Sequence, residues 1–138
     1  MNRSSVIMVA AATLFAAAAF STATATSTGV YAAGQATAGA KLYAANCSRC
    51  HGADLSGVSA PALKGPDLTA PGAQGRLTVS DIFKYMTSLM PAGNPGSLTH
   101  DQYVDVMAFL LAQNGSPAGS KPLSYDAALH SHDPIGKK

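Results

Sequence analysis

Two cysteines and a histidine stand in one short stretch, Asn46-Cys47-Ser48-Arg49-Cys50-His51-Gly52, and the 138-residue chain has no other cysteine. Three kinds of chemistry use such residues. A structural zinc ion takes four protein ligands, commonly thiolates and imidazoles. Cys47 and Cys50 supply two. His51 follows Cys50 too closely for both to chelate one tetrahedral ion with ease, and His100, His130 and His132 keep no paired zinc spacing with the cysteines. A thioredoxin-like dithiol expects a βαβ setting, and no β-branched run of strand length is visible. A plain structural disulfide suits an oxidising compartment but leaves His51 without a part. The third chemistry uses all three residues. Two thiols add across the vinyl groups of one porphyrin, and the next imidazole lies on one face of the ring, where it can ligate the iron. Cys-x-x-Cys-His is the attachment signature of c-type haem. A large apolar ring would also supply core to a short chain with 13 glycines and 8 prolines.

Such a group needs walls. Upstream, Gly39, Tyr43 and Cys47 recur every four residues and drift slowly around one helical face. Downstream, Leu98 to Gly115 has the pattern of a complete helix. Thr99 and Gln102 form a capping box, with Leu98 and Tyr103 as a hydrophobic staple. Tyr103, Val106, Met107 and Leu110 make an apolar stripe, while Gly115 and Pro117 end it. A third helix is predicted from Thr78, capped with Asp81 and stapled through Leu77 and Ile82. Pro91 must leave that helix, so Met90 stands where helix gives way to loop.

These three stretches resemble the class I c-type cytochromes over about Ala36 to Gly115. The resemblance implies an all-α, small cytochrome c fold of three to four short helices wrapped around one covalently bound haem c. It implies attachment through Cys47 and Cys50, with His51 and Met90 as the axial ligands of the iron; Met86 is the runner-up to Met90, and Met107 reads as core. It implies a close crossing of the first and last helices at Gly39 and Tyr43, with Val106 and Phe109 opposite. It assigns the Pro61 carbonyl to the second nitrogen of His51 and places Leu63 near the ring. Arg76 reads as a surface arginine, or else as the partner of a haem propionate. The run Phe109 to Gly119, with the spaced leucines after it, is similar to cytochromes serving quinoprotein alcohol dehydrogenases.

The start of the chain reads as an export leader. Arg3 gives a positive start, Val6 to Phe20 is apolar apart from Thr13, and Ala23-Thr24-Ala25 fits an A-x-A cleavage site, with Val30-Tyr31-Ala32 as a second. The apolar run is shorter than the ~20 residues that span a bilayer, no cysteine follows it for lipid attachment, and no twin arginine precedes it. The expected organisation is a leader over 1–32 with cleavage near 25 or 32, a haem domain over 33–115 and a C-terminal extension over 116–138, in which His130 and His132 are solvated. The mature protein is expected to be soluble and periplasmic, with no membrane span. Without Arg3 eight basic residues face seven acidic ones, a balance unlike the basic patch of a nucleic-acid binder. No nucleophile–base or carboxylate pair stands out. An electron carrier is therefore expected rather than an enzyme, with a dehydrogenase as donor and a terminal oxidase as acceptor. An open iron site, as in a ligand binder or small peroxidase, is the alternative. A bis-histidine carrier using His100 is the third reading.

Overall fold

The computed structural model describes residues 28–70 and 76–136. The apolar run and the Ala23-Thr24-Ala25 cleavage site lie outside the described residues. Within them, six helical segments follow one another: α1 (Ala33–Asn46), α2 (Ser48–His51), α3 (Pro66–Thr69), α4 (Val79–Leu89), α5 (His100–Gln113) and α6 (Tyr125–His130). Three of these, α1, α4 and α5, are longer than ten residues. Backbone pairing outside helices and turns is confined to isolated bridges, so the described fold is all-α, as the sequence predicts.

Local chemistry fixes the three main helices. Helix α1 is alanine-rich, and alanine has the highest helix propensity. Its entry is closed by Gln35, whose Oε1 accepts the Ala32 N–H at 3.1 Å. Both predicted capping boxes form. Thr78 Oγ1 accepts the Asp81 N–H at 3.3 Å while the Asp81 carboxylate accepts the Thr78 N–H at 2.8 Å. Thr99 and Gln102 repeat the pattern at 3.3 and 2.9 Å. Such caps satisfy amides that have no partner within the helix and contribute about 1 kcal/mol each. Helix α5 ends at Asn114, followed by Gly115 at φ +83°, a left-handed conformation natural to glycine.

Helices α1 and α5 cross so closely that a Cβ at residue 39 would overlap the Asp105 carbonyl; only glycine fits. Beside that contact the rings of Tyr43 and Phe109 pack with centroids 5.2 Å apart. Helix α4 then lies against α5 and α6, burying Val79, Phe83 and Met107 completely.

The segment after α5 packs back onto this core, with Leu123, Ala128 and Ile135 buried. It also completes the start of α4. The amides of Val79 and Ser80 donate to the carbonyls of Asp133 and Ser131 at 2.9 and 3.1 Å. Tyr31, three per cent exposed, joins the same core and donates its hydroxyl to the Ser116 carbonyl at 2.8 Å. His130 and His132 are exposed.

Candidate functional site

Between the end of α1, α2, α4 and α5 lies a cavity of about 600 Å³, within the usual range for a cofactor pocket. Cys47, Cys50 and His51 line it from the end of α1 and α2, Met86 and Met90 from α4 and its cap, and Val106 and Leu110 from α5.

The first of these linings is built by a single short stretch of chain. Cys47 caps α1. The tight turn of α2 then brings Cys50 and His51 to the same cavity. The Cys50 carbonyl accepts the amides of Val58, Ser59 and Ala60 at 3.0, 3.1 and 3.1 Å, which folds the following loop back over the motif. This return delivers the Pro61 carbonyl to His51 Nδ1 at 2.8 Å. A histidine that uses Nδ1–H on a carbonyl keeps Nε2 unprotonated as a metal ligand. His51 is nine per cent exposed, so little of the ring reaches water. Tyr43 donates its hydroxyl to the Gly52 carbonyl at 2.6 Å, pinning the residue after His51 to α1. Burial, with Cys47 and Asp54 nearby, pushes its pKa up to about 12, so it remains a donor at all ordinary pH. Burial also raises the pKa of the Cys47 thiol. The two thiols are not bonded to one another, and both open onto the cavity.

Leu63 lines the cavity, and its backbone is fixed twice: its N–H donates to the Leu55 carbonyl at 2.9 Å, and its carbonyl accepts Asn114 Nδ2 at 3.0 Å. The same amide side chain accepts the Gly65 N–H at 3.2 Å, tying the loop to the end of α5. Met90 is the residue that caps α4, with its N–H still bonded to the Met86 carbonyl at 3.0 Å. Met86, one turn earlier, is eight per cent exposed and packs in the core.

All six residues expected at a haem site thus meet around one cavity: Cys47, Cys50, His51, Leu63 and Met90 as lining, and Pro61 through its carbonyl. The set suits a haem. Two thiols, one imidazole and a thioether line an enclosure with apolar walls. Three further expectations go elsewhere. His100 stacks on Tyr125 with ring centroids 3.7 Å apart and does not line the cavity. Met107 is fully buried in the core, as read. Arg76 is half-buried and does not line the cavity: its guanidinium donates to the Ile135 carbonyl at 3.3 Å. Among the described residues no three His, Cys, Asp or Glu side chains converge as a metal site.

Some residues that hold the site were not singled out for that part. Asn114 is a helix end in sequence; only the fold turns its amide to the loop at 63–65. Tyr103 reads as a staple and core residue, and its hydroxyl reaches the Met90 carbonyl at 2.7 Å. No local pattern announces either contact.

Comparison with known proteins bears on the family and the fold. Residues 34–110 match the family described as cytochrome c oxidase, cbb3-type, subunit III. No curated protein sequence matches the chain. Among solved structures, the sulfane dehydrogenase SoxCD from Paracoccus pantotrophus is similar, with a TM-score of 0.53 and 27% sequence identity over 68% of this chain. The match covers 50% of that chain, so the present chain spans about half the length of the relative. With its Cys-x-x-Cys-His motif, its all-α fold and a family match over more than half its length, the chain belongs to this cytochrome family: it is a class I c-type cytochrome.

Proposed function

We propose that the protein is a periplasmic one-electron carrier with a single haem c, held through thioether bonds to Cys47 and Cys50 and ligated by His51 and Met90. The observation that carries this reading is the hydrogen bond between His51 Nδ1 and the Pro61 carbonyl, in a cavity that also gathers both thiols and Met90. When bound, the haem supplies an iron that takes up and releases one electron. The residues do the rest. His51, oriented by Pro61, offers one ring nitrogen to the site. Met90 offers a thioether, which gives a higher reduction potential than a second imidazole would. Leu63, Val106 and Leu110 keep the site apolar, which disfavours the more charged ferric state. Two protein ligands leave no position for substrate, as a carrier requires.

The partners proposed are a quinoprotein dehydrogenase as donor and a terminal oxidase as acceptor. The sequence is similar to cytochromes serving the former, the solved relative is itself named a dehydrogenase, and the family is named for an oxidase subunit. No helix among the described residues is long and apolar enough to cross a membrane. Cleavage of the leader after Ala25 suits the packing better than cleavage after Ala32, because Tyr31 is buried and its carbonyl accepts the Gly119 N–H at 2.7 Å.

Carbon monoxide binding by the reduced protein tests the ligand assignment. Met90→Ala should bind it readily and Met86→Ala should not. The reverse pattern would move the ligand to Met86. Ready binding by the unaltered protein would replace the carrier with an open iron site.

A further inference from the structure

We infer that Tyr103 is a positioning residue for Met90, its single hydroxyl clamping both ends of the 90–96 loop to α5. The inference deepens the reading of Met90 as an axial ligand and rests on it.

The loop after α4 has little of its own to hold it. Residues 92–97 are exposed. The Asn94 N–H donates to the Pro91 carbonyl at 2.8 Å and the Ser97 N–H to the Asn94 carbonyl at 3.3 Å. Both bonds lie within the loop and shape it without attaching it to the body of the protein. Tyr103 provides that attachment. Its hydroxyl donates to the Met90 carbonyl at 2.7 Å and accepts the Gly96 N–H at 3.0 Å. The hydroxyl cannot drift with the loop, because the residue is three per cent exposed in the first turns of α5.

The effect on Met90 follows from its backbone. Its N–H is held by the Met86 carbonyl, the last bond of α4. Its carbonyl is held by Tyr103. With both sides of the residue fixed, only the side-chain torsions are left to bring the thioether to the cavity. A phenylalanine would fill the core as well. What the hydroxyl adds is the two bonds, one to the exposed Gly96 and one to the half-buried Met90 at the start of the exposed loop, where water can replace the hydroxyl. Loss of the hydroxyl should therefore free Met90 more than it destabilises the fold.

Imidazole titration of the ferric, haem-loaded protein reads this directly, since imidazole competes for the position Met90 fills. Tyr103→Phe should bind imidazole roughly tenfold more tightly, the equivalent of about one net hydrogen bond. Leu123→Ala, a core truncation remote from the loop, should lower thermal stability yet leave imidazole affinity within about twofold. In the unaltered protein the Gly96 amide should exchange with deuterium more slowly than that of Gly93 in the same loop. Tyr103→Phe affinity within twofold of the parent, an equal gain in Leu123→Ala, or Gly96 exchanging as fast as Gly93 would each overturn the clamp. Failure of the ligand reading has a different signature: Met90→Ala would bind imidazole no better than the parent, whatever the exchange of Gly96.

Discussion

The two sides of the cavity are built in different ways. The side carrying Cys47, Cys50 and His51 is made mostly by neighbours in sequence: seventeen residues, Cys47 to Leu63, fold on themselves through amides that donate to the Cys50, His51 and Leu55 carbonyls, with Tyr43 and Asn114 tying the stretch to α1 and the end of α5. The side carrying Met90 is made at a distance. Helix α4 begins against the carbonyls of Ser131 and Asp133, and its capping residue, Met90, is held by a hydroxyl thirteen positions away. A mostly local wall moves little when distant parts of the protein change. An assembled wall depends on the distant groups that bond it directly. The attachment side should therefore be robust and the Met90 side conditional.

The largest effect comes from breaking the attachment side by its chemistry. Cys47→Ser with Cys50→Ser should remove covalent haem altogether, and the denatured protein should have the mass of bare polypeptide. Next in size is a change far from both walls. Ile135 is fully buried and its N–H donates to the Leu77 carbonyl beside the cap of α4. Ile135→Ala should cost about 2–5 kcal/mol in denaturant unfolding. It should also open the Met90 side to imidazole while leaving His51 coordinated, as followed by the spectrum. Equal loosening of both ligands would erase the contrast between the walls.

Smaller effects sharpen it. Pro61→Ala keeps the carbonyl that His51 uses, so the reduction potential and spectrum should be unchanged, with stability lower by under about 1 kcal/mol. A large spectral change would mean the ring of Pro61, and not its carbonyl, orients the histidine. Smallest is a pH effect on the Met90 side. Hydrogen bonds from the Thr78 hydroxyl and amide hold the Asp81 carboxyl below its ordinary value of 3.8. Folding thus favours the charged form. The stabilisation is fully present above that ordinary value and is lost as pH falls through the lowered one. The thermal midpoint of Asp81→Asn should lie slightly below that of the parent at neutral pH, and the gap should close in acid.

This asymmetry also decides what the sequence reveals. The attachment wall is compact in sequence, so its motif, the returning Pro61 and Leu63 could be named from the residues and the family resemblance together. The capping boxes at Thr78 and Thr99 were equally legible, because each is spelled within four residues. Tyr103 was visible only as an apolar stripe residue, since periodicity reports the buried face of a helix and not where a hydroxyl at its edge points. The contact of Arg76 is hidden for a related reason. A lone arginine carries no signal of the chain end that folds back beside it, nor does the segment after Gly115 announce that Leu123 and Ile135 will close the core.

The most direct test of the central claim is the optical and magnetic spectrum of the purified, haem-loaded protein in both redox states. Two protein ligands, His51 and Met90, predict a low-spin iron in the oxidised and the reduced state, with the signature of thioether coordination and no uptake of carbon monoxide. A high-spin spectrum in either state, with carbon monoxide bound on mixing, would contradict the account.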